Sequence, residues 1–417
     1  MIQLRDVYGI QNDLPEYTYV VRESCDKKLE YLLGTQRHIV IHGASKQGKS
    51  CLRKKIIGSK NIIIIQCQPE KTIANILKEI CNKLQITFPT TLETTSNTSG
   101  NASFEVQGKA RLPFIAEGSL TTGVEAGIGS ETKQLFECSG IGENDLEIIS
   151  RVISKKNMRI IFEDFHYLSE EQRKNFSFLL KSFYEYSVYI IIIGIWAEHN
   201  LLTYYNGDLT GRIEEIDMTW TNEELYDVIK KGENPLRIIW QKYISENIIE
   251  ISYNNVGITQ RLCEKICLEC GYLNNRTLFR RSISDVSLIK IAKKHIINDI
   301  SQRYNKIYEV FMAGFEDTDL KVYLNVFKAL TTISRNELKS GIPQNHLLTE
   351  INSKYNPGIR LSDLTSALKR IERLQATRQI TPFLITYNEN TREIYLVDRE
   401  FIFYIEQGNP SWEWLQE

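Results

Sequence analysis

The chain has 417 residues, 42% of them hydrophobic, and a formal net charge of −1. Length allows two to four domains, and the composition suits chains that bury real cores. Near-neutral charge argues against bulk nucleic-acid affinity, though not against a local basic patch.

Residues 1–17 are polar and acidic rather than an apolar leader, and the eight cysteines are scattered along the chain. Both features predict free thiols in a reducing, cytoplasmic setting. The apolar runs Ile62 to Ile65 and Tyr189 to Ile193 are far too short to span a bilayer and read as buried parallel strands.

The first motif follows the apolar run Ile39-Val40-Ile41. It reads Gly43-Ala44-Ser45-Lys46-Gln47-Gly48-Lys49-Ser50, the pattern G-x-x-x-x-G-K-[ST], and it opens a segment to Ile57 with helical character. A strand, a Gly-rich turn and a helix start in that order aim several backbone N–H groups at one point, which suits nucleotide phosphates. Lys49 adds a positive charge there and the Ser50 hydroxyl is a ligand for Mg²⁺. Residues Gly43 to Cys51 are the expected ATP contacts.

An insertion is expected at 87–143. Its first part is rich in Ser, Thr and Asn. From Phe104 to Ile128 the even positions are mostly apolar and the odd ones mostly polar. That period predicts an amphipathic β-hairpin over 103–130. An isolated hairpin is marginal in water. Its oily face needs the ATPase core, the hairpins of neighbouring subunits, or a membrane-inserted oligomeric barrel; its Ala and Gly content favours protein over lipid.

Arg159-Ile160-Ile161-Phe162-Glu163-Asp164 is a short apolar strand ending in two acids. Glu163 is assigned to the metal and Asp164 to the attacking water. A strand at Val188 to Ile193 comes next, with Glu198 and Asn200 as alternative γ-phosphate sensors beyond it. Gly211-Arg212 precedes the strand Ile213 to Ile216, and Arg212 is a candidate arginine finger toward a neighbouring subunit.

Residues 219–275 read as a helical lid that starts at the capping signature Thr221-Asn222-Glu223-Glu224. Cys263, Cys267 and Cys270 share one helix face; with no second Cys/His cluster beside them, packing is the expectation. A helical connector is expected at 276–319, where basic and apolar residues mix. Residues 320–417 then read as a winged helix and tail. Its helices are Leu320 to Thr332, Gln344 to Ser353 and Leu361 to Leu374; its strands are Phe383 to Tyr387 and Glu393 to Val397, with the wing between. The third helix carries mixed charge (Asp363, Lys369, Arg370, Glu372, Arg373) rather than a basic stripe, a weak footprint for DNA. Trp412 to Leu415 is either an anchor for another surface or a packed terminus.

This order of pieces resembles the AAA+ superfamily, and within it the branch of origin-recognition-type and STAND signalling ATPases. The resemblance rests on Tyr19-Val20-Val21-Arg22, the phosphate loop, Glu163-Asp164 with Phe165-His166, Gly211-Arg212 and Gly257-Ile258-Thr259-Gln260-Arg261. It implies an α/β P-loop core with a parallel sheet over residues 1–218, a helical lid and a C-terminal winged helix. It implies that Tyr19, Val20 and Val21 lie near adenine and that Arg261 contacts the γ-phosphate. The family carries Asp then Glu at the metal strand, whereas this chain has the reverse. A shorter Asp at the water position implies a slow switch rather than a fast motor. In STAND proteins the winged helix is an internal clamp that reads nucleotide state. The resemblance implies ATP-dependent homo-oligomers, and a sensor or assembly role in bacterial defence with a separate effector protein. An origin-type ATPase gripping DNA is the alternative.

Overall fold

The computed structural model describes residues 1–11, 13–86, 143–196, 199–313 and 320–412. The hairpin expected at 103–130, the sensor candidate Glu198 and the tail residues Trp414 and Leu415 lie outside the described residues.

Five parallel strands form the central sheet: β1 (His38–His42), β2 (Ile62–Gln66), β3 (Arg159–Glu163), β4 (Ile191–Ile193) and β5 (Ile213–Asp217), in the order β2-β3-β4-β1-β5. Every residue of β1 is buried. A strand covered on both faces has no wet side, which is why these segments read as unbroken apolar runs. Val40, Ile160, Phe162 and Ile192 join the core on one face. Their neighbours Ile39, Ile41, Ile161, Ile191 and Ile216 join the core on the other.

The phosphate-loop helix is α1 (Lys49–Leu52), which widens into a π-helical turn over Arg53–Ile57. Helices α2 (Ile73–Leu84), α3 (Glu143–Lys155) and α4 (Glu170–Glu185) follow. Residues Ile76, Ile80, Ile149, Phe176 and Leu180 from these three are buried against the Val40 face. Strand β4 is shorter than the apolar run that announces it.

Beyond the sheet come α5 (Asn222–Lys231), capped as expected by Thr221 and Glu224, α6 (Lys242–Ile251) and α7 (Val256–Glu269). Strands β6 (Ile238–Trp240) and β7 (Arg281–Ile283) pair in parallel beside them. The N-terminal residues, polar on average, nonetheless bury Leu4, Val7 and Tyr8 here. The Tyr8 hydroxyl donates to the Ile229 carbonyl at 2.6 Å and accepts from the Trp240 indole at 2.9 Å.

The expected connector is one long helix, α8 (Ser287–Ala313). The C-terminal elements are α9 (Val322–Thr332), a short helix Arg335–Ser340, β8 (Ile342–Pro343), α10 (Gln344–Lys354), α11 (Leu361–Thr377), β9 (Ile385–Asn388), β10 (Glu393–Leu396) and α12 (Arg399–Gly408). The three strands form a small antiparallel sheet in the order β8-β10-β9. The helices and the hairpin fall where the sequence predicts them; β8, the short helix and α12 are additions. Lid, α8 and C-terminal elements share one continuous apolar core, separate from the two cores of the sheet. Trp412 is buried in it, with ring centroids 5.4 Å from Tyr308 and 5.2 Å from Phe327. No helix among the described residues is long and apolar enough to cross a membrane.

Phe327 is fully buried and lies 5.0 Å from Phe311 and 5.6 Å from Phe401. Phe327→Ala leaves a cavity where α8, α9 and α12 meet, and should lower stability by about 3–5 kcal/mol in chemical denaturation.

Candidate nucleotide site

The loop after β1 is built by its glycines. Gly48 caps α1 with φ 84°, a left-handed conformation that L side chains rarely adopt, and Gly43 has φ 143°. The turn leaves the Lys49 ammonium among its own carbonyls, donating to Gly43 O at 3.0 Å and Ala44 O at 2.6 Å. Burial pushes its pKa down to about 7, against the opposing pull of Asp164 and Asp217. A desolvated cation held only by neutral carbonyls is a strong attractor for an anion.

The Ser50 residue is exposed at the mouth of the loop. The two strand-end acids diverge. The Glu163 carboxylate pairs with Arg53 at 2.5 Å, both side chains being mostly buried. Asp164 turns with φ 54° and accepts a hydrogen bond from the Gln66 amide. Burial and the Glu163 charge raise the Asp164 pKa, while Gln66 and Lys49 oppose them. His166 accepts from the Ile195 N–H at Nδ1, 3.2 Å away, so its proton belongs on Nε2. Burial pushes this imidazole well below its usual pKa.

An apolar pocket opens beside the phosphate loop. Tyr19, Val20, Cys51, Leu52, Trp220 and Val256 line it, and Gly48 forms its inner edge. It sets aromatic and aliphatic groups, with Thr18, Arg22 and Gln260 among them, next to a phosphate cradle, chemistry that suits a nucleobase. Tyr19 is oriented by a 2.5 Å hydrogen bond to Asp26. Val21 is 55% exposed and does not line the pocket. The Trp220 indole donates to the Gln47 carbonyl at 3.0 Å, joining the pocket wall to the loop.

The lid approaches the loop closely. Asn255 caps α7 and donates to the Ser45 carbonyl at 3.0 Å. A Cβ on Gly257 would meet the Lys46 Cβ at 3.0 Å, tighter than most real contacts, so the glycine eases this approach. Arg261, one turn further on, is expected at the γ-phosphate, but here it bonds Glu400 at 2.9 Å and Asp299 at 3.1 Å.

Glu400 comes from α12 and is buried. Besides Arg261 it holds Lys46 at 2.5 Å and has Arg303 at 3.8 Å. Burial works to raise its pKa, but Lys46, Arg261 and Arg303 outweigh it and keep the carboxyl below its usual range. The Ser45 N–H donates to the Val397 carbonyl at 3.1 Å. Phe383 packs edge-on against His166 and Tyr167, and Glu372 of α11 pairs with Arg173 of α4 at 2.6 Å. The C-terminal elements therefore cover the phosphate loop. Local sequence signals could not reveal this, because Lys46 and Glu400 are 354 residues apart.

Arg212 lies at the opposite end of β1, where Ile213 pairs with His38. Five strand residues, about 15 Å, separate it from its own phosphate loop. It pairs with Glu185 at 2.7 Å and stacks over Tyr184 at 4.7 Å. Asn200 caps a short helix, and its N–H donates to the Glu215 carboxylate at 2.9 Å.

No family model matches this sequence, and no curated protein matches it. Among solved structures it is similar to a Walker-type ATPase of Pyrococcus abyssi, with 14% identity, 94% of this chain and 96% of that one covered, and a TM-score of 0.52. It is also similar to the ORC1 protein of Aeropyrum pernix solved in complex with DNA, at 10% identity, 98% and 96% coverage and a TM-score of 0.41. The Holliday junction branch migration motor RuvB of Thermotoga maritima matches at 12% identity, 92% and 94% coverage and a TM-score of 0.39. At such identity, the first of these likenesses is one of fold, in keeping with a parallel α/β core of the P-loop kind.

Proposed function

We propose that this chain is an ATP-binding, slowly hydrolysing switch of the AAA+/STAND kind, shut by its own C-terminal winged-helix module. The observation that carries this reading is the buried Glu400, which ties up Lys46 of the phosphate loop and the sensor candidate Arg261 together. In the proposed cycle ATP phosphates enter the cradle Gly43 to Ser50, and Lys49 takes the β- and γ-phosphates. Ser50 and Glu163 hold Mg²⁺ once Glu163 leaves Arg53. Asp164 orients water, and Tyr19, Val20 and Cys51 receive the base, with Val21 at the rim. The γ-phosphate competes with Glu400 for Lys46 and Arg261, so the anion and the module exclude one another.

Release of the module then frees surfaces for self-assembly, in which Arg212 completes a neighbour's site. The distance of Arg212 from its own phosphate loop supports action across subunits rather than within one. A separate effector protein, as in a bacterial defence system, is the partner implied by the family resemblance. The DNA-gripping reading is less favoured, because Lys369 is paired with Glu389 and Glu372 with Arg173 on the helix that would enter the groove. A membrane role for the 103–130 hairpin stays secondary for the Ala/Gly reason given above.

Mass photometry with and without ATP-Mg²⁺ tests the switch. Wild type should form a discrete oligomer with ATP; Lys49→Ala should lose both nucleotide binding and assembly, and Arg212→Ala should lose assembly while still binding ATP. Glu400→Gln should bind ATP about tenfold more tightly, because the competing anion is gone. Unchanged affinity and assembly in Glu400→Gln would sink the clamp.

A second prediction follows from Lys49. With an apo pKa near 7, the amine is charged at about pH 6 and largely neutral at about pH 8. Bound phosphate raises that pKa, so ATP binding should take up close to one proton at about pH 8 and almost none at about pH 6. Calorimetry in buffers of different ionisation enthalpy reads this directly.

A further inference from the structure

Three metal-ligating side chains converge beside β1: His42 from its end, Glu215 from the middle of β5, and His199 from the segment after β4. His42 directly precedes Gly43 and is 1% exposed. Its ring stacks on Trp196 with centroids 5.8 Å apart, and its Nδ1 lies 3.4 Å from the Trp196 carbonyl. A carbonyl only accepts, so the proton belongs on Nδ1. That leaves Nε2 as a bare lone pair, buried and without a hydrogen-bond partner among the described residues. It faces the Glu215 carboxylate at 3.7 Å. A lone pair pointed at a carboxylate is repulsive unless a positive charge lies between them.

His199 approaches from the solvent side, its Nδ1 3.5 Å from the same Glu215 oxygen. Its ring is edge-on to that of His42. All three donor atoms lie within 4.8 Å of one another. Tetrahedral zinc with bond lengths near 2 Å needs ligand atoms about 3.3 Å apart. The two edges at Glu215, 3.7 and 3.5 Å, need to shorten by a few tenths of an ångström, and the His42–His199 edge, no longer than 4.8 Å, closes as the exposed His199 ring turns inward. The outer contacts fit as well. The His42 N–H on the carbonyl and the Asn200 N–H on the carboxylate are the partners that orient such ligands.

We propose that His42, His199 and Glu215 form a binding site for a divalent transition cation of the zinc class, with its remaining coordination filled by water. The site is separate from the Mg²⁺ position expected at Ser50. It fastens the segment after β4 to the strand that carries the phosphate loop.

The test is titration of the purified full chain with Zn²⁺ against a chromophoric chelator, without nucleotide. Wild type should bind one equivalent tightly. His199→Ala, a change at an exposed side chain, and Glu215→Gln should each weaken that equivalent at least about tenfold. Co²⁺ in place of Zn²⁺ should give the visible spectrum of nitrogen and oxygen ligation. Equal binding by wild type and both variants, no tight equivalent in wild type, or a thiolate charge-transfer band from the cysteines would each overturn the site.

Discussion

One buried carboxylate organises the contact between the two halves of this molecule. Glu400 is 2% exposed and has three cations around it, from the phosphate loop, the lid and α8. A charge taken out of water is tolerated only when its partners repay the lost hydration. Here the partners belong to three different parts of the fold, so the cost of burying Glu400 is recovered only while all of them stay in register. Lys46 is the member with another task, since it belongs to the loop expected to meet phosphate. The arrangement is therefore stable and conditional at once.

The two sides of that contact are held together differently from what lies within them. Lid, α8 and C-terminal elements are joined by one apolar core running from Leu4 to Trp412. The sheet has its own two cores. Between them the contacts described are largely polar: Lys46 with Glu400, Ser45 with Val397 and Asn255, and Arg173 with Glu372. Polar seams separate more readily than apolar cores, because water can satisfy the groups they expose. The Phe383 contact on His166 and Tyr167 is the chief apolar exception, and it lies beside the acidic strand end.

Much of the scaffold was legible from short-range patterns. The unbroken apolar runs announced β1, β2 and β3 because both faces are covered, and the Thr221 to Glu224 box announced α5 because capping is local. The glycine spacing announced the phosphate loop because L side chains rarely adopt the φ of Gly48. Contacts across long stretches of chain were not legible. Nothing near Glu400 marks it as a partner of Lys46, and nothing near Glu163 marks Arg53 as its holder. Polar average composition also hid the burial of Leu4, Val7 and Tyr8, since three apolar side chains suffice to dock a segment whose other residues face water. Within the connector, expected to be helical, the mixed residues from Ser287 to Ala313 are the two faces of one helix seen in sequence.

That helix has a mechanical consequence. At 27 residues, α8 spans about 40 Å, and its buried residues from Ile289 to Phe311 belong to the shared core along its whole length. It is a stiff rod held along its length by that core. A rotation of about 10° about one end would carry the other through about 7 Å, far beyond hydrogen-bond reach, so a small tilt of the shared core would be largest at the contacts farthest from the pivot.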